Sequence, residues 1–96
     1  MLSIGNITVF SPLVLAPMSG ISDLPFRLIN RSFGCGLAFT EMISANSLVR
    51  KNKNTLKMLS STMDERPLGI QIVGSDPEII KMALNIIISG NAFDII

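Results

Sequence analysis

The chain has 96 residues, of which 48% are apolar, and its mean hydropathy of +0.52 excludes an intrinsically disordered chain and predicts one small domain. The net charge of +1 creates no overall field that would attract nucleic acid, although it does not exclude an RNA partner. A single cysteine and no histidine exclude an internal disulfide framework, argue against an ordinary zinc site, and predict a reducing, cytoplasmic environment.

No membrane segment is expected in this sequence. Its start lacks the basic, apolar and small-residue pattern of a signal peptide. The longest apolar window, residues 79–88, is interrupted by Lys81 and Asn85, and a spanning helix needs roughly 20 residues. We therefore expect neither a membrane nor a metal among the partners.

The first predicted strands lie before residue 17. Residues 4–9 alternate weakly between apolar and polar and predict a short strand, which could form a hairpin with an apolar strand at residues 13–16. Pro17 ends that second strand because proline has no N–H to donate to a ladder. The residues that follow Pro17 therefore face outward as a loop, where α/β folds place their ligands.

A helix is predicted over residues 23–33. Either Ser22 or Asp23 can cap its start, Pro25 fits its first turn, and Gly34 supplies a left-handed stop.

Strands and helices alternate through the rest of the chain. The predicted elements are a strand at 37–42, one or two helical turns from residue 45, a break near 52–54, a short helix from residue 55, a strand at 68–73, a helix to Ser89 that ends at Gly90, and the start of a strand at 93–96. A capping box is predicted at 75–78, in which Ser75 accepts from the amide of Glu78. This order predicts parallel strands joined by crossover helices.

The last helix indicates that the fold continues beyond these elements. Its polar residues Lys81, Asn85 and Ser89 form one narrow stripe, so its apolar surface must be covered on more than one side. A closed (β/α)8 barrel typically needs about 250 residues. We therefore predict an α/β fold that is the N-terminal part, about three and a half β/α units, of a TIM barrel: residues 1–96 form one partial domain, truncated in the fourth strand, with no second domain.

Two segments carry groups suited to a planar heterocycle. In residues 16–20, backbone groups freed at a strand end and the polarizable Met18 could pack against a ring, or the segment could be a plain turn with a core methionine. Gln71 is flanked by apolar residues in a predicted parallel strand, where a buried amide must be satisfied. Its carboxamide could bind a ring edge or could bond neighbouring strands or water.

A third segment, residues 40–46, follows the strand at 37–42 and falls on the same face. Glu41 could orient groups near a site or could be a strand-end carboxylate in a structural hydrogen bond. Asn46 could meet a substrate or could cap a helix.

Basic residues form a local run without an acid between Glu41 and Asp64; they are Arg50, Lys51, Lys53 and Lys57. Such a patch could neutralise RNA phosphates or could be a solvated surface. Arg27 and Arg31, four residues apart on the predicted helix, are expected on the surface.

Three separated segments, at residues 15–27, 40–46 and 71–77, closely resemble, in this order, those of the tRNA-dihydrouridine synthases, and the resemblance extends over residues 4–96. These are FMN enzymes built on a (β/α)8 barrel, and the chain is most similar to the bacterial branch also described as nitrogen-regulation-like. The resemblance implies the following contacts: Pro17, Met18, Ser19 and Gln71 with FMN, and Glu41 and Asn46 with or near the substrate.

The resemblance also implies the chemistry. A reduced flavin delivers hydride to the C5=C6 bond of uridine in tRNA, NADPH re-reduces the flavin, and a cysteine supplies the second proton. Cys35 is not expected to be that cysteine: it lies at the amino end of the strand at 37–42 and is predicted to be a buried small residue. The family's catalytic cysteine belongs to an Asn-x-Gly-Cys-Pro motif that would lie beyond Ile96, so no catalytic residue is assigned and the isolated chain is expected to be inactive and not stably folded.

Two other functions remain compatible with the sequence. The chain could belong to another FMN barrel oxidoreductase that acts on a small molecule such as a dihydropyrimidine. It could also be a non-enzymatic remnant that binds a protein through exposed apolar helix faces.

Overall fold

The computed structural model describes residues 1–96. Its strands are β1 (Leu2–Ile4), β2 (Ile7–Val9), β3 (Val14–Leu15), β4 (Leu37–Ser44) and β5 (Leu68–Val73). Its helices are α1 (Leu24–Ser32), α2 (Ala45–Val49), α3 (Lys53–Met58) and α4 (Pro77–Gly90), with a single 3₁₀ turn at Met63–Glu65.

An antiparallel hairpin of β1 and β2 opens the chain, with Leu2 opposite Val9. The predicted strand at 4–9 was therefore wrong in its pairing, because the segment turns back on itself instead of pairing with residues 13–16. Gly5 permits the turn, since it takes a left-handed φ of 57° at the first position of a two-residue loop.

The hairpin is followed by a parallel sheet in the order β3-β4-β5. Val14 pairs with Leu37 and Ala38 pairs with Leu68, so the predicted parallel strands with helical crossovers are confirmed. The predicted strand at 93–96 is reduced to a single parallel bridge between Gly69 and Ile95. The structure is thus a small α/β unit.

A β-bulge interrupts β4 beside the sheet's centre. Phe39 pairs with Gly69 and Met42 pairs with Gln71, so Thr40 and Glu41 together stand opposite one residue of β5. A bulge of this kind turns a side chain away from the face that strict alternation would give it. The strand was predicted to end at Met42, whereas β4 continues to Ser44.

The helix caps were predicted at the right helix ends, but at α4 the positions of two of the capping residues differ from the prediction. Asp23 caps α1 by accepting from the amide of Phe26 at 3.1 Å. The predicted capping box at α4 was wrong by one residue, because Asp76, not Ser75, accepts from Glu78 N. Its end also differs, since Gly90 is helical and Asn91 takes the left-handed conformation with φ 50°.

The apolar core lies between the outer face of β4 and β5 and the helices α2 and α4. Its buried members are Ile43, Ala45, Leu48, Ile70, Ala83 and Ile87. The opposite face of the sheet carries Met42, Gln71 and Val73, which are all exposed. Exposed Met82 and Ile88 on α4 agree with a helix whose apolar surface exceeds what this core covers.

The two arginines of α1 are not surface residues, and the prediction that placed them there was wrong. Arg27 is buried against Glu65 of the 3₁₀ turn. Arg31 is half-buried and donates to the carbonyls of Cys35, Gly36, Glu65 and Pro67. Together they tie α1 to the segment that enters β5.

The amino-terminal end of the sheet is covered by the chain between β2 and β3. Gly36, just before β4, has no room for a side chain: an added Cβ would lie 2.5 Å from Ser11 O and 2.9 Å from a methyl group of Val9. Glycine is required at this position by close approach of main chain, not by its own backbone conformation.

Candidate functional site

The parallel strands β3, β4 and β5 end at one edge of the sheet, and the three predicted segments follow or reach that edge. Residues 16–23 connect β3 to α1, and α2 begins directly after β4. In parallel α/β sheets this carboxyl edge is where ligands bind.

An open cavity of about 370 Å³ lies at this edge. Pro17 and Gln71, both predicted as cofactor contacts, line it together with Phe39. The rest of its lining comes from Ile95 and Ile96, and from Ile70 and Ile72 of β5, whose side chains pack into the core on the other face of the sheet. An apolar wall with a few polar groups is the usual make-up of a small-molecule site.

Gln71 is exposed in this cavity, so the expectation of a buried and satisfied amide was wrong. Its neighbours Ile70 and Ile72 face the helices, and strand alternation therefore turns Gln71 to the face that no helix covers. Its main-chain N–H donates weakly to Thr40 Oγ1 at 3.4 Å, while its carboxamide makes no hydrogen bond within the chain. The amide is available to a ligand.

The cavity also depends on Gly69, which was not among the predicted site residues. A Cβ at this position would lie 2.3 Å from the ring of Phe39, so the ring packs directly on the glycine main chain. An isolated glycine within a strand often marks such a close approach, and that signal could have identified it.

Met18 and Ser19 do not line the cavity, although they directly follow Pro17. Met18 is held by Ser22: its N–H donates to Ser22 Oγ at 2.8 Å, and its carbonyl accepts from the same hydroxyl at 3.1 Å. Ser22 is fully buried, and it was predicted only as a possible helix cap. The structure therefore places two of the four predicted cofactor contacts, Pro17 and Gln71, in one cavity.

Glu41 lies next to the loop after β3, and not in the cavity of Gln71. One of its carboxylate oxygens accepts from the N–H of Gly20 at 3.0 Å, which confirms a structural hydrogen bond. Glu41 also lines a second, smaller cavity of about 150 Å³ with Asp23, Arg27 and Lys57 among its neighbours. The bulge in β4 directs Glu41 to this neighbouring position.

Asn46 is exposed within α2 and does not cap it. The cap is Ser44, whose hydroxyl accepts from Ser47 N at 3.2 Å. The alternative role as a helix cap was therefore wrong, and the amide of Asn46 makes no hydrogen bond within the chain.

Every member of the basic run is exposed. The chain contains two ion pairs, Arg27–Glu65 and Arg66–Asp94, and neither involves the run. The run begins directly after α2 and continues through α3, so these unpaired cations follow the carboxyl end of β4 along the chain. The run members are Arg50, Lys51, Lys53 and Lys57.

Cys35 precedes β4, at the end of the sheet away from the cavity. It is half-buried and not fully buried as predicted, and its thiol donates to Leu37 O at 3.1 Å. Its position agrees with the expectation that it is not the proton donor.

The pKa of one carboxyl group outside the site, that of Asp94, is lowered by its neighbours. Hydrogen bonds from the Arg66 guanidinium hold the pKa of Asp94 below its usual range, with a smaller contribution from the amide of Leu68. The same pair raises the pKa of Arg66. This pair attaches the last residues of the chain to the start of β5.

The family assignment comes from comparison with known proteins. The model of the dihydrouridine synthase (Dus) family matches residues 14–96. The chain belongs to the dihydrouridine synthase family. The matched residues include both walls of the cavity, Pro17 and Gln71, as well as Glu41 and Asn46.

Curated relatives of this family agree over most of the chain. It is 37% identical over 84 residues, 86% of its length, to the probable tRNA-dihydrouridine synthase of Rickettsia bellii, and covers 26% of that protein. It is 40% identical over 81 residues, 83% of its length, to tRNA-dihydrouridine synthase B of Pseudomonas syringae pv. tomato, covering 24% of it. It is 37% identical over 91 residues, 93% of its length, to tRNA-dihydrouridine synthase B of Yersinia pestis, and covers 28% of that protein. The chain thus spans about a quarter of the length of these dihydrouridine synthases.

None of the helices is long and apolar enough to cross a membrane. The structure likewise has no cluster of three or more cysteine, aspartate or glutamate side chains arranged to hold a metal ion.

Proposed function

We propose that this chain forms part of an FMN-dependent tRNA-dihydrouridine synthase that reduces uridine to 5,6-dihydrouridine with NADPH in the cytoplasm. In this proposal residues 1–96 contribute about three and a half β/α units of a (β/α)8 barrel. Support comes from the family match, the parallel order β3-β4-β5, and the exposed inner face of the sheet, which the remaining strands of a barrel would cover.

The observation that carries the proposal is the meeting of Pro17 and Gln71 in one apolar cavity at the carboxyl edge of the sheet. The residues present fit a flavin, because an apolar wall suits the ring and the unpaired carboxamide of Gln71 offers two donors and one acceptor to its polar edge. When bound, FMN supplies the hydride chemistry of the reaction.

The residues of this chain would bind and position the flavin and the substrate. Phe39, Ile95 and Ile96 would exclude water from a bound flavin, and the carboxamide of Gln71 would fix its orientation. Pro17 would contact the flavin from the opposite wall, and Met18 and Ser19 continue its loop. Glu41 holds that loop, and exposed Asn46 is the proposed contact for the target nucleotide.

The proton donor is not assigned to this chain. Cys35 is the only thiol, and it lies at the other end of β4 from the cavity. We therefore propose that the chain by itself does not complete the reduction of uridine.

A hybrid enzyme tests the function directly. In this hybrid the 81-residue matched segment of the Pseudomonas syringae synthase is replaced by the corresponding segment of this chain. We expect the hybrid to form dihydrouridine in tRNA with NADPH, and Gln71→Leu to weaken FMN binding about tenfold, since a hydrogen bond to a ligand contributes roughly 0.5–1.5 kcal/mol. Asn85→Leu, an equally drastic amide substitution on the exposed surface of α4, is the matched control.

The outcomes separate the candidate functions. Dihydrouridine in tRNA, together with selective loss of FMN affinity in Gln71→Leu, supports the proposal. A hybrid that binds FMN and oxidises NADPH but leaves tRNA unchanged supports another FMN oxidoreductase acting on a small molecule. A folded hybrid that binds no FMN contradicts a flavin site at this cavity.

A further inference from the structure

The loop between β3 and α1 is fixed from two sides by side chains that do not line the cavity. Ser22 holds Met18 through both of its main-chain groups, at 2.8 and 3.1 Å. Glu41, which comes from β4, accepts from Gly20 N at 3.0 Å. The loop is thus attached both to its own helix start and to the neighbouring strand.

The buried ion pair of Arg27 and Glu65 in turn holds Ser22 in place. The Ser22 carbonyl accepts from Arg27 Nη1 at 2.9 Å, and Arg27 is held by the buried carboxylate of Glu65. Both side chains of this ion pair are nearly fully buried, so the support has little freedom to move. A continuous set of hydrogen bonds therefore connects the 3₁₀ turn to Met18.

These contacts decide which N–H groups of the loop remain available. Pro17 has none. The N–H of Met18 donates to Ser22, and that of Gly20 donates to Glu41. Ser19 is exposed, and its N–H has no partner within the chain.

We infer that Ser22 and Glu41 are positioning residues for the flavin: they hold in place the loop whose Pro17 lines the cavity. This inference rests on the proposed flavin site and deepens it. The hydroxyl of Ser22 does not touch the flavin, because it is fully buried and both of its hydrogen bonds go to Met18. A preorganised loop binds a ligand more tightly because its ordering cost is met before the ligand arrives.

Substitutions test each of the two contacts that hold the loop. Ser22→Ala removes the hydrogen bonds to Met18, and Glu41→Leu removes the acceptor for Gly20 N. Glu41→Gln keeps a carbonyl oxygen that can still accept from Gly20 N. We expect Ser22→Ala and Glu41→Leu each to weaken FMN binding about tenfold, as expected for loss of roughly 1.4 kcal/mol. We expect Glu41→Gln to recover most of the affinity. FMN affinity is read from flavin fluorescence in the hybrid enzyme.

A second measurement separates loop positioning from general stability. Hydrogen exchange reports the amides of Met18 and Gly20 without FMN, and we expect Met18 to exchange faster in Ser22→Ala and Gly20 in Glu41→Leu, while amides of β5 keep their protection. Equal loss of protection in β5 would indicate a merely structural role and would overturn the inference.

The two proposals fail in different ways. If the parent hybrid binds FMN and both Ser22→Ala and Glu41→Leu bind it within twofold of the parent, this inference is wrong and the flavin site stands. If the folded parent hybrid binds no FMN, the proposed flavin site fails, and this inference fails with it.

Discussion

Arg27 and Glu65 form a buried, two-point ion pair that joins α1 to the 3₁₀ turn before β5. Arg27 Nε lies 2.9 Å from one carboxylate oxygen, and Nη2 lies 3.0 Å from the other. The two side chains are 2% and 0% exposed. Their remaining groups are also bonded, since Ser61 donates to Glu65 and Arg27 donates to two carbonyls. Such geometry offsets the cost of removing both charges from water.

Removing the Arg27 cation alone should strongly destabilise the protein. We expect Arg27→Met to lower the free energy of unfolding by about 3–5 kcal/mol, because it leaves the Glu65 carboxylate buried and unpaired. Urea denaturation measures the change. Arg50→Met, at an exposed position without an ion pair, is the matched control and should change stability by less than about 0.5 kcal/mol. The double variant Arg27→Met with Glu65→Leu should recover much of the loss; a double variant no more stable than Arg27→Met alone would contradict the stated cause.

The glycine under Phe39 gives a second prediction. Gly69→Ala places a Cβ 2.3 Å from the ring, so the ring must move into the cavity. We expect a loss of about 1–3 kcal/mol in stability from overpacking, and weaker FMN binding in the hybrid enzyme. Gly90→Ala is the control, because nothing lies within 4 Å of its added Cβ and alanine is favoured in a helix. Unchanged FMN affinity in Gly69→Ala would show that the ring position does not define the cavity.

Acid should weaken the attachment of the last residues. The folded-state pKa of Asp94 is lowered by Arg66, so the pair's contribution is complete above the unfolded carboxyl pKa of about 3.9 and is lost as the pH falls through the lower folded value. We expect Asp94→Asn to be less stable than the parent at about pH 7 and the difference to shrink as the pH approaches about 3. Thermal unfolding across this pH range measures the difference. Asp64→Asn, at an exposed carboxylate with no ion pair, should follow the parent curve; an Asp94→Asn difference that grows toward low pH would contradict the assignment.

The basic run should affect RNA binding through charge alone. We expect Arg50→Gln with Lys53→Gln in the hybrid enzyme to weaken tRNA binding similarly for all tRNA sequences. The slope of log affinity against log salt should also become shallower by about one for each phosphate that the variant no longer neutralises. Lys81→Gln on α4 is the control, since it removes an exposed cation that does not belong to the run. Titrations at several salt concentrations by fluorescence anisotropy measure both quantities, and an unchanged slope would mean that the run is only a solvated surface.

Local sequence patterns were sufficient for elements whose signals lie within a few residues. The strand at 68–73 was predicted with the bounds of β5, because an apolar run lies between Pro67 and Gly74. The break between α2 and α3 was also predicted, and the structure places it at residues 50–52. The cap of α4 was misplaced because Pro77 takes the first helical position and thereby makes its predecessor the cap.

The errors concern contacts between distant parts of the chain. Arg27 and Glu65 are 38 residues apart, and no periodicity reveals such a pair. The bulge in β4 depends on the register with β5, so the separation of Glu41 from Gln71 could not be read from either strand alone. For the site, Pro17 and Gln71 were predicted from their motifs and both line the cavity, whereas Ser22 and Gly69 act through packing and buried hydrogen bonds.

The tight contact between Gly36 and Ser11 covers the amino-terminal end of the sheet, its closed end. Main chain lies directly against the start of β4, so that end of the sheet is covered, whereas the cavity that carries Gln71 lies away from it. Met1 and the exposed strand β1 belong to the closed end. A fluorophore or affinity tag joined to Met1 would therefore leave the cavity accessible, which makes this terminus the suitable attachment point for ligand titrations.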